Sequence, residues 1–182
     1  MLYTTNGDDG KTGLFGCDQR ISKSSAIAEA LGCLDEINSL LGWCKVKAGD
    51  KSFKVGTVGI AAMIDEVQQD LFIIQAQLAG APKVLPVERI KVMESLIGEI
   101  EKILPPIKTF FVAGGTELAA IFDHARTVAR RAERRVIAAH EEGLVKISQE
   151  SLALLNRLSS LLYALARLAN HDSGVNEEAP RY

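Results

Sequence analysis

Apolar residues recur along this chain at intervals of three and four for most of its length, the period of helices that each bury one face. From about Ser24 the positions Ile27, Ala30, Leu31, Leu34, Ile37, Leu41 and Cys44 form one such stripe. Ile60, Ile64, Val67, Leu71, Ile74 and Leu78 form a second, stopped by Ala79-Gly80-Ala81-Pro82. A third follows Pro86, with Ile90, Met93, Ile97, Ile100 and Leu104 inward and Pro105-Pro106 closing it. Ile121, Ala125, Val128, Ala132 and Val136 make the fourth, and Leu154, Leu158, Leu161, Leu165 and Leu168 the fifth. The pattern predicts helices over 24–48, 57–79, 87–104, 116–142 and 148–171, with no strand between them. Five helices on short links imply an all-α, five-helix bundle in one domain over 1–182.

The polar positions are less uniform. Residues 1–23 are a glycine-rich loop, with Gly7, Gly10, Gly13 and Gly16 three apart among threonines and aspartates. A loop of that length is a functional or a mobile one. Gly10-Lys11-Thr12 looks like the end of a Walker A loop, but the glycine which that motif needs earlier falls at Thr5, so a true P-loop is rejected. A nest of backbone amides for an anion remains open. The first helix carries a row of short side chains, Ala28, Gly32, Asp35, Ser39 and Gly42, that would let another helix or a ligand approach closely. The fourth packs Arg126, Arg130, Arg131, Arg134 and Arg135 with Asp123 and Glu133 into a few turns. Guanidinium forks in such a row match phosphate oxygens, and equally well lace a solvated helix with i,i+4 pairs. Periodicity alone leaves both readings open. In the last helix Asn156, Ser160, Tyr163, Arg167 and Asn170 form a polar seam that needs water or hydrogen-bonding partners. The polar residues 172–182 are expected to be a flexible tail.

Composition narrows the chemistry. Charged residues are 24% and the formal net charge is -2, so no nucleic acid or anionic membrane is expected as a partner, and any anion site must be local. Aromatics are only 5%, too few for a base-stacking platform. Cys17, Cys33 and Cys44 lack metal-ligand spacing and read as reduced thiols. The amino terminus has no signal-peptide pattern, and no long uninterrupted apolar run suggests a membrane span, so a cytoplasmic location is expected. Diiron chemistry in such a bundle needs Glu-x-x-His pairs, and none of His124, His140 and His171 follows a glutamate at that spacing.

Four ordered blocks resemble one family. They are Tyr3 to Thr12, Glu29 to Asn38, Gly114-Gly115-Thr116 with Ala125 to Arg134, and Asn156-Arg157-Leu158-Ser159. Together they are similar to the PduO-type ATP:cob(I)alamin adenosyltransferases over residues 3 to about 170. The resemblance implies a ferritin-like five-helix bundle that assembles as a homotrimer with active sites between subunits. It implies transfer of the 5′-deoxyadenosyl group of ATP to cob(I)alamin, giving adenosylcobalamin and triphosphate. Mg2+ or another divalent ion would ride on the triphosphate, and a flavin-dependent or similar reductase would supply reduced cobalamin. Carried over by position, ATP would be held by Thr4, Thr5, Gly7, Asp8, Gly10, Lys11, Thr12, Lys23, Arg130, Glu133 and Asn156. Arg130 would stabilise the departing triphosphate. Asp35 and Arg126 would pair across the subunit boundary and help place the corrinoid, and Phe110 would wall cobalt's lower face. Two positions depart from the family pattern. Asp9 stands where lysine is frequent, adding a negative charge near a triphosphate, and Ala113 stands where proline is frequent, loosening the loop that carries Phe110. A non-catalytic ATP or corrinoid carrier on the same bundle, and a helical assembly protein with structural arginines, are the other readings.

Overall fold

The computed structural model describes residues 3, 5–14, 18–50 and 53–182. Five helices carry it: α1 (Ala26–Asp50), α2 (Ile60–Leu78), α3 (Val87–Ile103), α4 (Glu117–Glu141) and α5 (Gln149–Asp172). Each lies within a few residues of the range its apolar period predicts. The stripes are the core. All six expected positions of α2 are buried, as are the five of α4 and the five of α5. On α1 the stripe is buried from Ala30 to Cys44, and its flanking Leu31 is only partly covered. The α3 stripe is thinner: Met93 and Ile100 are buried, whereas Ile90, Ile97 and Leu104 pack against the core from its edge. Hydroxyls cap the starts of α4 and α5. Thr116 Oγ1 accepts from the Ala119 amide at 3.1 Å and Ser148 Oγ from that of Ser151 at 3.2 Å.

Helix α1 lies between α2 and α4, and α5 lies between α4 and α3. The α2–α3 seam is joined mainly by side chains. Arg89 grips the buried Asp70 with its Nε at 2.9 and 3.0 Å and a terminal nitrogen at 2.9 Å, and also reaches Glu66 at 3.1 Å. Burial pushes the Asp70 carboxyl up from its usual 3.8, a rise that the Arg89 fork opposes. At the opposite end, Gln77 accepts from Ser151 Oγ at 3.0 Å and donates to the Lys83 carbonyl at 3.0 Å, tying the end of α2 to the start of α5. Helix α5 is long and apolar enough to cross a bilayer, but 67% of its apolar window is buried inside the bundle, as expected of a central helix.

The expectation of no strands is corrected by two small antiparallel hairpins. β1 (Lys11–Gly13) pairs with β2 (Arg20–Ser22) in the register Lys11↔Ser22, Thr12↔Ile21, Gly13↔Arg20. β3 (Lys54–Val55) pairs with β4 (Val58–Gly59) just before α2. Ile21 is the one large apolar residue in the first pair, so neither strand shows the alternation that would announce it. The residues after α5 touch the bundle again. There Glu177 lies against Arg167 at 2.9 Å, and the carbonyl of Glu178 accepts from the Val112 amide at 2.8 Å.

Candidate active site

The arginine-rich helix divides its cations by face. On the side facing α1, Arg131 pairs with Glu36 and Arg135 lies 3.5 Å from Glu29, while Glu117 at the helix start meets Lys47 at 3.1 Å. These arginines belong to their own fold. Arg130 is exposed and makes no ion pair among the described residues. Arg126 is only half served. Its Nε is buried without a hydrogen-bond partner and stands 3.8 Å from Asp123, and its guanidinium lies 5.9 Å from the Tyr163 ring centre. An unsatisfied buried donor on a cation is costly, so an acceptor is needed there.

Arg126 and Arg130 line a cleft of about 570 Å³ with Ile107, Phe110, Ser159 and Tyr163. Phe110 is 79% exposed at its mouth. Burial raises the Tyr163 phenol above its usual 10.0, which keeps it a neutral hydrogen-bonding wall at neutral pH. One turn along, Asn156 Nδ2 donates to Glu133 at 3.0 Å, and Arg157 donates to Asn156 Oδ1 at 2.9 Å while reaching Glu94 at 2.8 Å. The predicted Arg130, Glu133 and Asn156 therefore share one α4–α5 surface, continuous with the cleft.

The loop carrying Phe110 is held by residues the sequence had left without a task. Asp123 accepts from the Gly114 amide at 3.1 Å. Asn170 accepts from the Thr116 amide at 2.9 Å and donates to the Gly114 carbonyl at 2.8 Å. Gly114 and Gly115 take φ of 123° and 97°, and a Cβ on Gly115 would sit 2.4 Å from Asn170 Oδ1. Only glycine fits between that amide and the loop. The polar seam of α5 thus finds its partners: Arg167 and Asn170 serve this loop rather than solvent, and Tyr163 lines the cleft. Spacing had signalled the need for partners there, and the partners lie more than fifty residues away.

The second group of predicted residues stands apart. Thr5–Gly7 form a single 3-10 turn that leads into the β1–β2 hairpin. Lys23 Nζ donates to the Gly7 carbonyl at 2.8 Å, and its amide to the Gly10 carbonyl at 2.9 Å. Arg20 reaches the carbonyls of Asn6 and Lys11 and the carboxylate of Asp9, the last at 2.8 Å. Asn6, Gly7, Lys11, Thr12, Asp18, Arg20 and Lys23 enclose a polar hollow of about 460 Å³, suited by its three cations to an anion. Asp8 and Gly10 are exposed at the turn beside it. Thr4 lies outside the described residues. The charge on Asp9 is not left open as expected, because Arg20 and the Lys11 amide at 3.0 Å take it up. That amide, then the Arg20 and Lys11 charges, hold the Asp9 carboxyl below its usual 3.8.

No residue lines both the hollow and the cleft. Asp35 is exposed on the outer face of α1 and does not meet Arg126 within one chain. Among the described residues no three His, Cys, Asp or Glu side chains gather as a metal cage. A divalent ion brought by phosphates needs only one or two carboxylates and water, and Asp18 at the hollow is such a carboxylate.

Comparison with known proteins fits this geometry. The model of a family described as cobalamin adenosyltransferase matches residues 2–169. The chain is 35% identical over 192 residues to the corrinoid adenosyltransferase PduO of Salmonella typhimurium, covering 100% of this chain and 54% of that protein. It thus spans about half the length of that relative. It is 34% identical to a corrinoid adenosyltransferase of Bacillus subtilis, covering 97% of this chain and 90% of that one. A solved variant of a PduO-type ATP:corrinoid adenosyltransferase from Lactobacillus reuteri, complexed with cobalamin and ATP, superposes with a TM-score of 0.87 at 31% identity, covering 100% of both chains. With the bundle, the arginine helix and the glycine-pair loop all in place, the chain belongs to the cobalamin adenosyltransferase family.

Proposed function

We propose that this chain transfers the 5′-deoxyadenosyl group of ATP to cob(I)alamin at a site completed by a second subunit. The observation that carries the reading is the division of labour on α4. Arg131 and Arg135 are taken by α1, whereas Arg130 faces a cleft with no ion pair among the described residues and Arg126 with only a loose one, 3.8 Å from Asp123. In the reaction a cobalt–carbon bond forms at C5′, the carbon–oxygen bond breaks, and its electron pair leaves on the triphosphate. Fixed cations are needed where that charge develops. Arg130 would take this role, with Glu133 and Asn156 holding the nucleotide beside it. Lys11 and Lys23 would take the triphosphate, with the Asp18 carboxylate beside the Mg2+ that it carries.

The hollow and the cleft share no lining residue, which supports a site completed by a second chain, and a homotrimer is the assembly proposed. The outer row of α1 supports a docked neighbour. Gly32, Asp35 and Ser39 are exposed in line with Trp43 and Val46, large apolar side chains 51% and 61% exposed. A neighbour on that row would bring an arginine to Asp35, and the orphaned Arg126 is the candidate. Phe110 would exclude a lower ligand from cobalt, favouring reduction to the nucleophilic state by an external, flavin-dependent type of reductase. A cytoplasmic setting with a reducing pool fits that need.

The test is an anaerobic assay with cobalamin, ATP and a strong reductant, following the absorption change as the cobalt–carbon bond forms. Arg130→Ala should lose roughly 2–4 kcal/mol of transition-state stabilisation. Stoichiometric ATP binding without any cobalt–carbon bond would overturn the enzyme and leave a carrier.

A further inference from the structure

Phe110 rides on a segment with little support of its own. Among the described residues no backbone hydrogen bond ties positions 106–110 to the bundle. Both ends of that segment meet one side chain. Arg167 on α5, 6% exposed, donates from a terminal nitrogen to the Pro105 carbonyl at 3.0 Å, and its guanidinium lies 5.1 Å from the ring centre of Phe111. Its third edge is held from outside the bundle, where Nε donates to both oxygens of Glu177 at 3.1 and 2.9 Å. The next residue continues the clamp, since the Glu178 carbonyl accepts from the Val112 amide at 2.8 Å.

We infer that Arg167 and Glu177 are positioning residues for the corrinoid, an inference that rests on the function proposed above. Arg167 staples the two ends of the span that carries Phe110, and Glu177 keeps the staple turned toward the loop. A guanidinium suits the task because one planar group serves a carbonyl, a carboxylate and a ring at once. Phe110 is then set against cobalt by the segment after α5, although that segment lines no part of the cleft itself. The loop's other anchors, Asp123 and Asn170, grip Gly114 and Thr116, beyond Phe110 on one side only.

Two variants and two readouts test this. Glu177→Gln keeps the shape and removes the charge, and Arg167→Lys keeps the charge and loses the fork and the flat face. Glu177 lies outside the helices, so its variant should fold even where the Arg167 variant does not. Hydrogen exchange needs no catalysis: peptides across 104–113 should exchange about tenfold faster in Glu177→Gln, with α1 and α2 unchanged. In the active enzyme the KM for cobalamin should rise roughly tenfold and that for ATP stay within about twofold, the split expected of a misplaced wall on one substrate. Unchanged exchange overturns the staple. Faster exchange with an unchanged cobalamin KM, or equal rises for both substrates with a lowered Tm, overturns its role toward the corrinoid. A wild type that exchanges as expected but forms no cobalt–carbon bond instead sinks the proposed function and leaves the staple standing.

Discussion

The fit of Gly115 against Asn170 yields a prediction whose size follows from the coordinates. Gly114 and Gly115 both have φ in the region that L residues avoid, so Ala at either should cost about 1–3 kcal/mol in backbone strain. They differ in what a methyl group would meet. At Gly114 there is nothing within 4 Å, whereas at Gly115 the new carbon falls 2.4 Å from Asn170 Oδ1 and 2.8 Å from Cγ and Nδ2. Asn170 is buried and must move, which breaks its bonds to the Thr116 amide and the Gly114 carbonyl. Two hydrogen bonds at about 1 kcal/mol each add about 2 kcal/mol to the strain. Gly115→Ala should therefore lose about 3–5 kcal/mol and Gly114→Ala about 1–3 kcal/mol, with the gap between them near 2 kcal/mol. Denaturant unfolding with an unchanged m-value reads both. In an Asn170→Ala background the Gly115→Ala penalty should shrink to the Gly114→Ala value. Equal penalties for the two glycines in the wild-type background would refute the reasoning.

Other outcomes follow from the same structure. In a double-mutant cycle, Asp35→Asn and Arg126→Gln should couple by about 3–5 kcal/mol if they meet away from water and by about 0–1 kcal/mol if exposed, read in cobalamin KM and trimer dissociation; strict additivity would show that they never meet. Arg89→Met strands the buried carboxylate of Asp70 and should cost about 3–5 kcal/mol of unfolding free energy. Because the folded state raises the Asp70 pKa, it binds that proton more tightly than the unfolded chain does. The wild type should thus gain stability relative to Asp70→Asn as pH falls from neutral toward 3.8, and the opposite slope would contradict the burial argument. Burial pushes the Cys44 thiol up to about 12, so it should resist thiol reagents at neutral pH, and its share of stability should be lost as pH rises above 9.0; rapid native-state labelling of Cys44 would refute this. Asp9→Asn and Arg20→Gln should each raise the KM for ATP and show no further rise when combined; a lower KM for Asp9→Lys would restore the view of Asp9 as a mere repulsive charge.

The helices were legible because each buries a stripe long enough to repeat several times. The α2 positions from Ile60 to Leu78 show this most plainly, since nothing but a helix brings all six inward together. The β1–β2 hairpin was not legible. Three-residue strands built from Lys11, Thr12, Gly13, Arg20 and Ser22 carry no apolar alternation, and their pairing is set by Arg20 and Lys23 reaching back over the turn. Within the site, type and spacing marked Arg126, Arg130 and Phe110 through the family resemblance. Without that resemblance, residue type and spacing do not tell Arg130 from Arg131, which differ by one position and by the presence of Glu36. Asp123, Asn170 and Glu177 stayed hidden for another reason. Their partners are backbone atoms and side chains brought near by folding, and a polar seam declares a need without naming who meets it.

The three ion pairs between α1 and α4 have a consequence beyond their small energies. All are exposed, and each is worth about 0–1 kcal/mol. Their order along the antiparallel helices is uneven, with acids at Glu29 and Glu36 and a base at Lys47. Sliding α4 by one turn in one direction would set Glu29 against Ala139 and Lys47 against Ile121, leaving only Glu36 with Arg135; sliding it the other way would bring Glu36 to Thr127 and Lys47 to Ala113, leaving only Glu29 with Arg131. Ala125, Ala129 and Ala132 keep the middle of the buried face of α4 small, and Leu118, Phe122, Val128 and Val136 supply its bulk. The surface charges thus add to the packing in favouring one register, the one in which all three pairs form. A slip of one turn, about 5.4 Å, would carry Arg130 to the level Arg126 now occupies. Reversing Glu29 and Glu36 to lysine would leave only the Lys47–Glu117 pair to favour that register.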